Sequence, residues 1–413
     1  MKPVIVVGAG VVGLACAVQL QRAGHQVVLI DRGEPGRECS FGNAGAFAVS
    51  DVIPLAEPGL WRKLPGWMFD PLGPLALRWR YLPSLAPWLW RFALASRPAR
   101  VAALTRALAA LLRRVNDDSA ELIAHAGLEA MWRRHGALTL YRDEKEFSAA
   151  AGAWESRRRH GVDWRKLDAA ELRAREPLLQ DEWRCGIEVE AWSHVDDPYL
   201  FCHGLFATFV HNGGQFLCDE VSNVALAEGR AVGVDTARSG RVDGSGVVIA
   251  AGSWSDRFLR QLPCRVPLES ERGYHVTLPR AGIHLHRFIQ CASESFVILP
   301  MSDGGLRLAG TVELAHRDAP PDWARAHILL DKARRIVGPF GTESMSVWMG
   351  QRPSLPDTLP AIGPAPGIGQ LFFAVGHGHL GLTLAATTGS LIADLVAGRD
   401  SGFDLTPCRL DRF

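Results

Sequence analysis

PVIVVGAGVVGLACAVQLQRAGHQVVLID, residues 3–31, decides the fold. A short apolar run ends at Gly8. Residues 11–23 then carry apolar side chains at helical spacing, and Gly24 follows as a natural residue to end the helix. Residues 26–30 form a second buried strand, closed by Asp31. Strand, turn, helix and strand within about 30 residues make a βαβ unit. Inside it, Gly8-Ala9-Gly10-Val11-Val12-Gly13 is GxGxxG, placed after a strand and opening a helix, the context that gives this motif its meaning. Gly8 permits the tight turn, Gly10 lets backbone approach a pyrophosphate, and Gly13 lets helix pack on strand. The helix N-terminus offers free N–H groups and partial positive charge to phosphates. Asp31, 18 residues after Gly13, can accept from ribose hydroxyls and disfavours a 2′-phosphate, which argues against NADP.

Outward from this unit, the chain of 413 residues reads as an ordinary globular protein, with 22% charged and 47% hydrophobic residues. That excludes a disordered chain. The 42 glycines are in excess of the usual share of about 7%. They call for tight turns or for backbone lying close to a ligand. Lys and Arg total 45 against 44 Asp and Glu, so no nucleic-acid footprint is present. Eight scattered cysteines form no CxxC and no zinc-like cluster with histidine, so no metal site is expected and a reduced, cytoplasmic setting is.

Further units of the first kind recur late in the chain. VIAAGSWS (248–255) is a strand running into Gly252, and FFAVGHGHLGLTLAATTG (372–389) is a strand, a glycine turn and a helix. Strand-like segments of an antiparallel kind lie between them, at 137–143, 186–192, 265–279, 295–301 and 306–314. The expected fold is therefore α/β. A Rossmann-type domain (1–134, 190–262 and 350–413) is interleaved with an α+β domain on a mainly antiparallel sheet (135–189 and 263–349).

The segment after Asp31 chooses the cofactor. A regular βα series would suit NAD. Here DRGEPGRECSFGNAGAF follows, and Ser40, Asn43, Ala44 and Gly45 suit backbone lying against a flat ring system or its diphosphate, as FAD requires. A helix N-terminus after Gly376, Gly378 and Gly381 can stabilise negative charge on a reduced flavin. The expected cofactor contacts are Gly8, Gly10, Val12, Gly13, Asp31, Arg32, Ser40, Asn43, Ala44, Gly45, Val221, Ala251, Gly252, Trp254, Gly378, His379, Leu380, Gly381, Leu382 and Thr383.

With these segments in place the chain resembles the D-amino-acid oxidase superfamily of flavoproteins, and within it the D-amino acid dehydrogenase branch, which includes enzymes acting on D-proline and hydroxy-D-proline. The resemblance spans nearly the whole chain. It rests on VIVVGAGVVGLACA with Asp31, CSFGNAG, ERGYHV (271–276), AGTVE (309–313), GQRPSLPDTLPAIG (350–363) and GHGHLGLT (376–383). It implies non-covalent FAD, two domains, and oxidative deamination through an imine, with hydride passing from Cα to flavin N5 and electrons going on to a quinone or redox protein. A glycine- or sarcosine-type oxidase using O₂ is the first alternative, and a non-catalytic flavin relay subunit the second. Arg352 matches the position that in relatives binds the substrate carboxylate, and a guanidinium fork suits that task. The other reading of Arg352 is a buried structural Arg paired with Asp357. Tyr274 could donate to the same carboxylate. His275, His377 and His379 lie in the key motifs, and His194 could reach the site. Tyr274 and His275 alternate along a strand, so one of the two should face the pocket. The ERGYHV stretch departs from the dehydrogenase pattern and inclines the substrate towards cyclic imino acids such as hydroxy-D-proline.

Residues 60–95 hold five of the 13 tryptophans (Trp61, Trp67, Trp79, Trp88, Trp90), interleaved with Arg62, Lys63, Arg78, Arg80 and Arg91. A proline-broken loop packed on the core or a partner subunit is expected. Trp beside Arg and Lys also suits a chain lying in a lipid interface, peripheral to a membrane. No run of 18 apolar residues exists to span one.

Overall fold

The computed structural model describes residues 2–58, 75–291, 293–294 and 296–413. The first part of the Trp/Arg segment, with Trp61, Arg62, Lys63 and Trp67, lies outside the described residues.

The βαβ unit forms as read, with strands Val4–Val7 and Val27–Asp31 and helix Val11–Arg22. They belong to a six-stranded sheet whose spatial order is Gln215–Cys218, Val27–Asp31, Val4–Val7, Gly246–Ile249, Leu371–Val375, Ala361–Pro364. Every pairing is parallel except the last. Strands Val4–Val7, Gly246–Ile249 and Leu371–Val375 are buried throughout, which is why they read as unbroken apolar runs. Helices Val11–Arg22 and Ala385–Ala397 pack on each other over one face of the sheet. Contact there is so close that a Cβ on Gly389 would sit 2.7 Å from the Ala15 carbonyl oxygen. The other face is covered in part by a three-stranded meander, Val221–Ala227, Arg230–Thr236 and Gly240–Asp243.

A nine-stranded, mainly antiparallel sheet forms the second layer. Its functional end holds Glu269–Leu278, paired with Leu306–Leu314 on one side and Ser346–Ser354 on the other. Helix Ala324–Val337 packs on one face, burying Leu329, Ala333 and Ile336 against Tyr274, Val276 and Leu308. The fold is thus mixed α/β, with the parallel and antiparallel layers interleaved along the chain. The register of Ser346–Ser354 runs unbroken through Arg352 and Ser354, so the expected boundary at 350 falls inside a strand of the antiparallel sheet. Leu75–Leu77, expected on the other side, also pairs into this sheet, beside Val312–Leu314. Helix Leu82–Ala95 buries Leu85 and Trp88 against Leu314 and leaves Trp90 exposed at 66%. Among the described residues no helix is long and apolar enough to cross a membrane.

Candidate functional site

The glycine turn of the βαβ unit is fixed by contact. Gly8 has φ of +107°, and a Cβ there would lie 2.4 Å from the Ala250 carbonyl oxygen. A Cβ on Gly13 would lie 1.8 Å from the Gly8 carbonyl oxygen, so helix and turn touch backbone to backbone. The Val11 N–H, in the first turn of the helix, donates to the Ser40 hydroxyl at 3.0 Å. Asp31 accepts from the Ala9 N–H at 2.7 Å and the Gly33 N–H at 3.0 Å. Burial raises its pKa above the usual carboxylate value, and those two N–H groups act in the opposite sense.

From this turn a cleft open to solvent runs to the segment after Leu371–Val375. It brings together Gly8, Gly10, Val12, Asp31, Arg32, Ser40, Asn43, Val221, Ala251, Gly252, Trp254, His377, Gly378, Gly381 and Leu382. Arg32 closes one end, its guanidinium 4.1 Å from the Trp254 ring centroid and 2.7 Å from a Glu38 carboxylate oxygen. Several expected contacts do not line the cleft. Gly13 serves helix packing, as above. Gly45, with φ of +74°, passes between Leu299 and the Val195 carbonyl, and its neighbour Ala44 is not on the cleft wall. Leu380 is core. Thr383 accepts from the Ala48 N–H and donates to the Ala46 carbonyl, tying two segments together. His379 faces a separate cavity. Asp219, Glu220 and Arg257 also line the cleft, where no motif marks them, as do Gln351 and Pro353, which lie in the 350–363 motif on either side of Arg352.

The wall formed by CSFGNAG (39–45) is held from the antiparallel sheet. Arg307, 2% exposed, donates through Nη1 to the carbonyls of Phe41 (3.1 Å) and Asn43 (3.0 Å). His275 Nδ1 lies 3.1 Å from the carbonyl between them, that of Gly42. Burial, reinforced by Arg307, lowers the His275 pKa to about 3, so the ring is neutral and donates there. It also stacks on Trp348, centroid to centroid 5.0 Å. His275 therefore supports the cleft wall and does not line the cleft.

Tyr274 faces the opposite way, as strand alternation requires. Its hydroxyl donates to Glu313 at 2.5 Å and accepts from the Asp322 N–H at 3.0 Å. Glu313 also binds Arg272, which is fully buried, and Arg78, which is partly exposed. The expectation that Tyr274 reaches a substrate is corrected: it belongs to a buried ion cluster under helix Ala324–Val337.

Close to Cys39 of the cleft wall, Arg352 shares a sheet face with Glu271 and Gly273 and does not itself line the cleft, although Gln351 and Pro353 beside it do. Its partner is not Asp357, which is held by Arg412 and Arg100. It is Glu271, directly opposite in the strand register, with Nη1 to Oε1 at 2.9 Å. The guanidinium lies over Gly273, where a Cβ would approach Nη2 to 2.4 Å. Ser354 donates to the other oxygen of Glu271 at 3.0 Å. His377, buried on the cleft wall, pairs with the Thr388 hydroxyl at 2.9 Å, and burial lowers its pKa to about 3. His379 approaches Asp51 at 3.6 Å. His194 is buried on the strand Ser193–Val195, paired with Ala46 of the strand Ala46–Phe47, outside the cleft, with its pKa lowered by burial to about 4.

The residues present fit a flavin dinucleotide. A helix N-terminus and a carboxylate stand at one end and a glycine turn at the other. A Cβ on Gly252 would meet nothing within 4 Å, so bare backbone borders the open cleft there.

Residues 3–395 match the family pattern described as FAD dependent oxidoreductase (DAO). The chain is 37% identical over 425 residues to a D-amino-acid oxidase of Bradyrhizobium diazoefficiens, covering 100% of this chain and 99% of that one. It is 33% identical over 419 residues to a D-amino acid dehydrogenase of Paramagnetospirillum magneticum, covering 99% and 98%. Among solved structures, glycine oxidase from Geobacillus kaustophilus superposes with a TM-score of 0.76 at 23% identity, covering 100% of this chain and 99% of that one. L-proline dehydrogenase from P. horikoshii also gives 0.76, at 17% identity, covering 100% and 97%. Both share the fold. Glycine cradle, Asp31 and cleft, carried on this fold and matched along almost the entire sequence, place the chain in the DAO family of FAD-dependent oxidoreductases.

Proposed function

We propose that this protein oxidises a D-amino acid to the imine, which water then hydrolyses. Support comes from the two relatives above, matched end to end and named for D-amino acids. The observation that carries the reading is Arg352, a guanidinium on the antiparallel sheet close to Cys39 of the cleft wall. In this reading the parallel layer binds FAD and the antiparallel layer presents the substrate. FAD, when bound, accepts the two electrons of the Cα–H bond. The chain's own residues bind and orient. Arg352 holds the substrate carboxylate, while Arg307 and His275 fix the loop 39–45 against the cofactor. His377 stays neutral in the cleft wall. Positioning of this kind, with water excluded, lowers a barrier by several kcal/mol without a general base at Cα.

ERGYHV inclines the substrate towards cyclic imino acids such as hydroxy-D-proline. The electrons pass to a quinone or redox protein, reached through a peripheral contact that includes the exposed Trp90. An oxidase using O₂ is the second reading, favoured by the name of the 37% identical relative. Anaerobic bleaching of the flavin by a panel of D-, L- and N-methyl amino acids tests the substrate class. Reduction by D-alanine, D-proline or hydroxy-D-proline is expected. Reduction by L-amino acids or sarcosine alone would overturn the reading. In air, peroxide formed in step with substrate would replace the quinone or protein acceptor by O₂.

A further inference from the structure

The segment 315–323, which leaves strand Leu306–Leu314, joins the antiparallel layer to the cofactor cleft. One part of it is anchored in its own layer. Arg272, fully buried, donates to the carbonyls of Ala319 (2.6 Å) and Pro320 (3.4 Å), and Arg78 donates to that of Pro320 at 2.8 Å. The Asp322 N–H is held by Tyr274. Nearer the strand, Arg317 reaches across to the turn Gly252–Ser255, which follows strand Gly246–Ile249 of the parallel layer. It donates through Nη1 to the Ser253 carbonyl at 3.1 Å and through Nη2 to Asp256 at 3.0 Å. Gln351 completes the arrangement. Its Nε2 donates to the Arg317 carbonyl at 3.0 Å, its backbone carbonyl accepts from the Ser253 hydroxyl at 2.9 Å, and its Oε1 accepts from the Ser270 hydroxyl at 2.9 Å. Arg317, Gln351 and Ser253 thus close a ring of hydrogen bonds between the two layers.

We propose that this segment is a latch on the cofactor cleft and that Arg317 is the positioning residue that sets how long FAD stays bound. The inference rests on the FAD cleft and not on the identity of the substrate. Ser253, Trp254 and Gln351 all line the cleft. Ser253 gives its hydroxyl and its carbonyl alike to the antiparallel layer, so that layer places the wall to which Ser253 belongs. Trp254 has two guanidiniums near its ring, Arg32 at 4.1 Å and Arg317 at 5.8 Å from the centroid. Both distances are within reach of a cation–π contact, which holds the indole in place. Arginine suits the task because its planar fork binds two acceptors at once and fixes them relative to each other, where lysine acts as a point charge. The Arg317 side chain is 27% exposed and that of Asp256 20%, so the pair meets water at its outer edge and can part without unfolding either layer. A dinucleotide in the cleft lies against this wall, and parting the ring frees the wall to move. The ring closes after the dinucleotide is in place, so it acts on release more than on entry.

The test follows FAD release from the diluted, FAD-loaded enzyme by the rise of flavin fluorescence, and FAD entry into the apoprotein by its quenching. Arg317→Met is expected to release FAD at least tenfold faster than the parent, roughly the change that one lost charged contact makes in an off-rate, and to take it up within threefold of the parent rate. Arg317→Lys, which keeps the charge but not the fork, should fall between, and it carries the measurement where Arg317→Met is recovered without FAD. Arg260 pairs with the same Asp256 from a side chain that is 76% exposed, so Arg260→Met should leave release within twofold of the parent. Release within twofold of the parent in both Arg317 variants overturns the latch, even where their melting temperatures fall, since a support for the fold alone lowers stability and leaves release as it was. Acceleration by Arg260→Met equal to that by Arg317→Met overturns it too, because loss of positive charge beside Asp256 is then the cause.

Discussion

Arg307→Met removes the clamp on the cleft wall while keeping most of the buried volume. Arg307 makes two hydrogen bonds to loop carbonyls, at 3.0 and 3.1 Å, and a third, from Nε to the Thr277 hydroxyl, at 3.2 Å. A hydrogen bond with one charged partner contributes about 1.5–3 kcal/mol, so the two to the loop set an upper bound of about 3–6 kcal/mol. Relief opposes this, because burial disfavours the charge on Arg307 and lowers its pKa. A net loss of about 2–4 kcal/mol follows. The loop supplies Cys39, Ser40 and Asn43 to the cleft, and Ser40 caps the helix that cradles the phosphates. Once released, the loop must be ordered again when FAD binds. If about 2 kcal/mol of the loss moves onto that step, FAD affinity falls roughly 30-fold. Titration of the apoprotein with FAD, read by quenching of flavin fluorescence, measures this directly. Arg307→Lys, which keeps charge but not the fork, should fall between. An affinity within threefold of the parent, in protein with an unchanged circular dichroism spectrum, would refute the clamp.

Other outcomes follow from the same geometry. Tyr274→Phe should destabilise the fold by about 1–3 kcal/mol, since Glu313 and the Asp322 N–H each lose a partner, while substrate affinity stays put. A selective rise in substrate Kd would restore Tyr274 to the site. Gly13→Ala should yield protein that is insoluble or free of FAD, because its Cβ would sit 1.8 Å from a backbone oxygen that has nowhere to retreat. Recovery of a yellow, folded protein would count against that contact. Stability should depend on mild acid. Burial holds His275 and His377 at about 3 and His194 at about 4, against roughly 6.5 in an unfolded chain. The unfolded chain therefore takes up protons that the folded one refuses. Stability is full above pH of about 6.5 and is lost as pH falls from there towards 4. Melting temperatures from pH 7.5 to 4.5 should show this, with a shallower slope for His377→Gln. A flat profile would argue against three buried neutral histidines.

The parts of the site that were legible in the sequence are those where backbone itself makes the demand. Gly8 and Gly10 stand where a side chain has no room or would block the cleft, and Asp31 ends a strand whose length fixes its place. Alternation in ERGYHV separated Tyr274 from His275, but one sequence carries no sign of which sheet face meets the cleft. The Arg352–Glu271 pair is an accident of register between strands 81 positions apart, so motif reading offered Asp357 as the nearer acid. Arg307 and Arg272 look like any other arginine in a chain whose basic residues are mostly arginine. Only packing shows that both are buried. For residues 60–95 a proline-broken loop packed on the core or a partner is the first expectation and a lipid interface the second; the described part forms helix Leu82–Ala95 despite Pro87, and its Trp88 packs inward.

The order of the parallel sheet has a consequence for how the protein is made. Val4–Val7 lies between Val27–Asp31 and Gly246–Ile249, so one of its neighbours leaves the ribosome at once and the other some 240 residues later. At synthesis rates of 5–20 residues per second that interval is roughly 12–50 s. Throughout it the first strand keeps an open apolar edge. Leu371–Val375 and the helix Ala385–Ala397, which packs on Val11–Arg22, arrive later still. Two stretches far apart along the chain, 4–31 and 371–397, thus build a single structural unit. The nascent chain should need protection from self-association, and a late stop codon should be as damaging as a lesion in the first thirty residues.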